Sequence, residues 1–236
     1  MNIIVTGASR GIGYELVKLL SKDSKRNVIA VSRSADKLDQ LKKECLSFNP
    51  YANVIPIVCD LNNKNAMEGL ISGIAKQFKS VNILINNAGA IVNKPFADIS
   101  IADLEYVYNV NVFSVIRLIQ GLLPIMDTAQ KSHIVNISSM GGFQGSSKFS
   151  GLSAYSSGKA AVACLTECLA EEFKENNIAF NCLALGAVQT EMLNEAFPGY
   201  KAPLNAEKMA VFIADFSLNA HQYMNGKIIP VSLSTP

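Results

Sequence analysis

Histidine is scarce in this sequence. His133 and His221 are the only two, and neither sits at ligand spacing from any of the five cysteines, Cys45, Cys59, Cys164, Cys168 and Cys182. No two cysteines form a Cys-x-x-Cys pair, which speaks against a zinc site or a dithiol redox motif. The cysteines read as reduced cytosolic thiols. Cys164 and Cys168 share one helix face and are expected to pack rather than to react. His133, at the start of an apolar strand, and His221, in a loop before the last strand, read as incidental. Long apolar runs are missing as well: no stretch of 18 residues is apolar throughout, so no transmembrane helix is expected. Charge of one sign is also lacking. The net charge is +2 with lysine and arginine scattered, and the longest basic cluster, residues 22–26, is broken by Asp23. That balance argues against a nucleic-acid groove or a membrane-binding patch. The chain enters an apolar strand at Ile3 without a basic leader, so the expected location is cytoplasmic. No linker, repeat or low-complexity tract divides it.

What is present suits one large domain over residues 1–236. Apolar residues make up 49% of the chain, ample for a core. The stretch that organises it joins Ser138-Ser139 to Tyr155-Ser156-Ser157-Gly158-Lys159. Tyr155 and Lys159 lie one turn apart in a helical segment, residues 154–174, and project from the same face. A free tyrosine titrates near pH 10, and a fixed cation beside it is expected to lower that value toward the working range. The Ser139 hydroxyl can donate to a carbonyl oxygen on which charge develops. Tyr-x-x-x-Lys alone also arises by chance on exposed helices, so its weight depends on what lies upstream.

Upstream, strand 2–6 runs into Gly7-Ala8-Ser9-Arg10-Gly11-Ile12-Gly13 and then into a helix whose apolar side carries Leu16, Val17, Leu19 and Leu20. Strand, glycine turn and helix present free backbone N–H groups to a phosphate, and glycines let the backbone approach a pyrophosphate. No Gly-Lys-Ser/Thr follows, so the turn is not a nucleoside-triphosphate loop. Strand 28–31 ends at Ser32-Arg33-Ser34, where dinucleotide folds read the adenosine ribose. Arg33 there, with Arg10 as a second positive charge, points to a 2′-phosphate and hence to NADP(H). A helix over 36–48, strand 54–58 ending at Cys59-Asp60-Leu61, a helix over 64–79 and strand 81–85 ending at Asn86-Asn87-Ala88-Gly89 follow. Residues 101–126 read as one long helix with Asn111 inside it, kept for a polar task or left exposed. Strand 134–137 delivers Ser139, and strand 178–183 leads to Gly186-Ala187-Val188-Gln189-Thr190. A loop of about fifteen residues, a helix over 206–218 and a strand over 227–232 complete the pattern. This alternation predicts an α/β fold with a parallel sheet of about seven strands and helices on both faces. The suspect residues all fall at carboxyl ends of strands, where such sheets bind ligands.

These motifs resemble the short-chain dehydrogenase/reductase family over nearly the whole chain, which implies a Rossmann-like, doubly wound single domain. Thr6 to Gly13 is similar to the family's cofactor turn, and Asn86-Asn87-Ala88-Gly89 to its sheet-stabilising motif. Asp60, followed by Leu61, stands where the family contacts adenine, and Gly186, Val188 and Thr190 where it contacts the nicotinamide end. Asn111, Ser139, Tyr155 and Lys159 match its catalytic tetrad. By that resemblance Tyr155 exchanges the proton and Ser139 holds the substrate oxygen. Lys159 contacts the nicotinamide ribose and lowers the tyrosine pKa, and Asn111 anchors a water in the relay. The implied activity is NADPH-dependent reduction of a ketone or a 3-oxoacyl compound. The competing expectation is a non-catalytic NADP-binding module that senses redox state; the intact tetrad favours the enzyme. The resemblance also implies a homodimer, or a tetramer, through the helices at 101–126 and 153–174, with Val112, Val115, Ile119, Cys164, Leu165 and Cys168 in the contact. Four stretches depart from the family pattern: Leu185 in place of proline, the inserted segment Gly145-Ser146-Ser147-Lys148, a short loop after Thr190 where the family covers the substrate, and the end Val231-Ser232-Leu233-Ser234 where many members build a tetramer interface.

Overall fold

Alternation along the strands writes both faces of the central sheet. Ile3 and Val5 join one core cluster with Val28 and Ala30, while Ile4, Ile29 and Val31 join the other. Strands buried on both sides are the mark of a parallel sheet covered by helices. In the computed structural model, which describes residues 1–233, the elements follow in chain order as β1 (Asn2–Thr6), α1 (Gly11–Leu20), β2 (Asn27–Ser32), α2 (Ala35–Phe48), β3 (Asn53–Val58) and α3 (Lys64–Gln77). Next come β4 (Ile83–Asn86), α4 (Ile101–Tyr108), α5 (Ser114–Leu122), β5 (Ser132–Ser139), α6 (Ser153–Glu172) and β6 (Ile178–Leu185). The chain continues through β7 (Val188–Gln189), α7 (Glu191–Ala196), β8 (Leu204–Asn205), α8 (Ala206–Asn219) and β9 (Lys227–Val231). Seven strands form one parallel sheet in the order β3-β2-β1-β4-β5-β6-β9. Helices α1, α2 and α8 cover one face and α3, α5 and α6 the other. The order reverses between β1 and β4, so a crevice opens beyond their carboxyl ends.

The expected long helix over 101–126 is interrupted. Residues 109–113 wind as a π-helical turn between α4 and α5. Within it the buried Asn111 amide accepts from the Ala90 N–H and donates to the Ala90 carbonyl, both at 2.8 Å. A widened turn aims that side chain inward, and such turns recur at functional sites. The stretch after Thr190 is likewise more ordered than a loop. Thr190 caps α7 by accepting from the Leu193 N–H, and β7 pairs with β8 in a small separate ribbon.

Two further expectations are corrected by burial. Val112, Val115 and Ile119 lie in the core against the sheet and are not spare surface for a partner. Cys164 and Cys168, expected to pack, are exposed on α6. The altered C-terminal end is seen only in part, because Ser234 lies outside the described residues.

His133 is a structural core residue. It is fully buried at the start of β5, and the Asn181 amide donates to its Nε2 at 2.9 Å. Asn181 is itself oriented by the Lys227 N–H, which donates to its Oδ1. The ring must therefore carry its proton on Nδ1, which donates to the Ser217 carbonyl at 2.9 Å. Burial, with His221 and Lys131 nearby, pulls its pKa down to about 3. Below pH 6.5 the unfolded chain then binds a proton that the folded chain refuses, so stability falls as pH falls. The expected loss from this residue is about 1.4 kcal/mol per pH unit between pH 6.5 and the folded value. Denaturant midpoints at pH 7 and pH 5 check this. His133→Gln should flatten the dependence, and an equal slope in parent and variant would assign it elsewhere.

Candidate active site

The carboxyl ends of β1 to β6 border one cavity of about 510 Å³. Every residue predicted for the site lines it except Gly13 and Asn111, which stand directly behind its wall. Gly13 brings α1 against β1: a Cβ there would lie 2.3 Å from the Gly7 carbonyl oxygen and 2.6 Å from Asn87 Nδ2. Asn87 ties the β1 and β4 turns together, its amide donating to the Thr6 carbonyl at 2.9 Å. Thr6 Oγ1 answers by accepting from the N–H groups of Asn87 and Ala88, each at 3.0 Å.

The first turn of α1 has neither a side-chain cap nor an acidic residue. Its N–H groups, with Gly11 and Ile12 on the cavity wall, can donate to an anion such as a phosphate. Arg33 at the end of β2 is exposed and makes no ion pair with the described residues. Arg10 differs from expectation. Its guanidinium is engaged with the Glu195 carboxylate on α7, one contact being 3.2 Å between Nη2 and Oε2. The pair joins the glycine turn to α7.

At the other end, β5 delivers Ser139 and the start of α6 delivers Tyr155 and Lys159. Lys159 is buried and its ammonium donates to the Ile137 carbonyl at 2.8 Å, while Ser138 Oγ donates to the Lys159 carbonyl at 2.8 Å. Gly142 seats the turn after Ser139 on α6, because a Cβ there would meet Ala160 N at 2.6 Å. Gly89 leaves room between Asn111 and Lys159: its Cβ would sit 3.3 Å from Asn111 Oδ1 and 3.5 Å from Lys159 Nζ.

The electrostatics correct a second expectation. Lys159 Nζ stands 5.9 Å from the centroid of the Tyr155 ring, and the tyrosine pKa is raised, not lowered. Burial pushes it up, and the Ser139 hydroxyl bonded to it draws it partly back. Burial also pulls the Lys159 ammonium down to about 8. Lys159 is buried and Tyr155 half-buried, and each is moved toward its neutral form. Sequence reasoning missed the apolar wall that faces them, to which Ile91, Val110, Phe149, Leu152, Met192 and Phe197 contribute. No local signal marks these residues, which come from four separate segments. Among the described residues no cluster suited to a metal ion occurs, and no helix is long and apolar enough to cross a membrane.

A family model described as short chain dehydrogenase matches residues 1–201. The chain is similar to a fatty acyl-CoA reductase of Acinetobacter baylyi, with 31% identity over 80% of this chain and 63% of that one, so it spans under two thirds of that relative. It is 30% identical to the NADP-dependent 3-hydroxy acid dehydrogenase of Schizosaccharomyces pombe over 84% of this chain and 76% of that protein. Among solved structures, the NADP complex of RhlG from Pseudomonas aeruginosa superposes with a TM-score of 0.83, at 25% identity, over 98% of this chain and 94% of that one.

Proposed function

Because the chain belongs to the short-chain dehydrogenase family, we propose that it is an NADPH-dependent reductase of carbonyl compounds. The carrying observation is that one cavity joins the uncapped N-terminus of α1 to the Ser139 and Tyr155 hydroxyls and the Lys159 ammonium. The residues fit the cofactor on their own chemistry. Gly11 and Ile12 offer backbone N–H groups to the pyrophosphate, Arg33 offers a cation to a 2′-phosphate, and Asp60 with Leu61 borders the adenine end. Gly186, Val188 and Thr190 border the nicotinamide end. The NADP dependence of the Schizosaccharomyces pombe relative supports the same choice.

When bound, NADPH supplies a hydride to the carbonyl carbon. The chain's own residues do the rest. Ser139 donates to the carbonyl oxygen and holds it near Tyr155. The Tyr155 hydroxyl gives its proton to that oxygen as negative charge develops there, and the product is an alcohol. A tyrosine is protonated at neutral pH, so Tyr155 holds the proton that it gives. Lys159 stabilises the phenolate that is left and contacts the cofactor ribose, and Asn111 anchors the relay that returns the proton. Chemistry of this kind on soluble small molecules accords with a cytoplasmic location. The exposed Leu104 and Phe113 on the α4–α5 stretch and Cys164 and Cys168 on α6 support at least a homodimer. A monomer by light scattering at micromolar concentration would remove that part of the reading.

The cofactor assignment has its own test. With Arg10 engaged by Glu195, Arg33 is the cation available to a 2′-phosphate, through charge-assisted hydrogen bonds. Arg33→Ala is expected to weaken NADPH by about tenfold to a hundredfold and to leave NADH nearly unchanged. Fluorescence titration of both cofactors checks it, and equal binding of NADH and NADPH by the parent protein would overturn the assignment.

A further inference from the structure

The walls of the cavity narrow the substrate class. Its charged lining residues are Arg10, Arg33, Asp60, Lys159 and Glu191. Neighbouring strands are about 4.8 Å apart. Arg33, beyond β2, therefore lies three strands or about 14 Å from the end of β5, and Asp60, beyond β3, lies about 19 Å away. Arg10 is bound to Glu195. Glu191, the first residue of α7, leans toward the glycine turn, its Oε2 lying 3.5 Å from the Cβ position of Gly11. Lys159 is buried and directed at the Ile137 carbonyl. The compartment over Tyr155 and Ser139 thus has no charge left for a substrate.

Its walls are largely apolar, with the hydroxyls of Tyr106 and Tyr200 added to those of Ser139 and Tyr155. Ile91 follows β4, Val110 sits in the π-helical turn, and Phe149 and Leu152 lie in the segment before α6. Met192 and Phe197 come from α7 and its end. Helix α7 is fixed across this compartment at two points: the ion pair to Arg10 and a hydrogen bond in which Asn93 donates to the Ala196 carbonyl at 2.9 Å. A carboxylate enclosed there would lose its water without gaining a counter-ion, at a cost far above that of an alkyl group. An alkyl or aryl body would gain free energy by leaving water.

We infer that the substrate is an uncharged carbonyl compound whose body is alkyl or aryl, and that oxo acids and polyhydroxylated ketones are selected against. The inference rests on the carbonyl-reductase reading. The test compares methyl hexyl ketone with the oxo acid of the same chain length that ends in a carboxylate, following NADPH absorbance with the full chain. The neutral ketone is expected to have a kcat/KM at least about tenfold higher, and a smaller or reversed ratio overturns the inference. If neither compound is reduced, the reductase reading fails by itself. Calorimetry with the corresponding alcohols on the protein–NADP⁺ complex then decides the substrate class. Binding of the neutral alcohol about tenfold tighter or more upholds it, and any other result, including no binding, overturns it. Met192→Arg places a cation on the α7 wall and should shift the ratio at least about tenfold toward the charged member of whichever pair responds. An unchanged ratio would take α7 out of the compartment and the inference with it.

Discussion

Tyr155→Phe is expected to fold and to bind NADPH as the parent does while losing a factor of about 10² or more in turnover, the scale of positioned acid–base catalysis. The substitution removes one oxygen and keeps the ring, so the wall of the cavity is preserved. Two companion variants separate the roles. Ser139→Ala should lower turnover with little change in cofactor affinity, because its partner is the substrate oxygen. Lys159→Ala should lower turnover and weaken NADPH together, and it also frees the Ile137 carbonyl that the ammonium satisfies. Stopped-flow rates and cofactor titrations on the three variants distinguish these patterns. A Phe variant that reduces a good carbonyl substrate at the parent rate would refute the proposed chemistry. Tight NADPH binding by a parent protein that reduces nothing would favour a binding module that senses the cofactor.

Gly13→Val should damage the protein at a different level, in its cofactor turn. Even the first carbon added there falls 2.3 Å from the Gly7 carbonyl oxygen and 2.9 Å from the Gly7 carbonyl carbon. Both are backbone atoms, so α1 must move away from β1, and its N-terminus leaves the position from which it faces a phosphate. Overpacking of this kind costs about 1–3 kcal/mol or more. The expected result is a lower unfolding midpoint together with at least about tenfold weaker NADPH binding. Gly69→Ala is the control. Nothing lies within 4 Å of its Cβ position on α3, so that variant should gain about 0.5–1 kcal/mol and keep its cofactor affinity. A Gly13→Val protein as stable and as tight-binding as the parent would show that the close approach of α1 and β1 is dispensable.

The contrast between these glycines marks what the sequence determines. A strand, a glycine turn and an amphipathic helix are local events, and so is the one-turn spacing of Tyr155 and Lys159. Backbone sterics and the helical repeat act over a few residues, so the turn, the Tyr–Lys pair and the parallel α/β layout were legible without coordinates. Asn111 stood out as a polar residue within a helix, but its task depends on Ala90, 21 positions away. The π-helical turn that presents it could not be read from periodicity. Arg10 looked free for a phosphate until the fold brought Glu195, 185 positions away, against it. His133 carried no sign of its role because Asn181 and Ser217 reach it only through the packed sheet and α8. The proton affinities went the same way. The sequence placed a cation one turn from Tyr155 and suggested a lowered pKa, whereas the tertiary structure buries Lys159, half-buries Tyr155 and moves each toward its neutral form. Desolvation is a property of everything packed around a group, and only the assembled chain sets it.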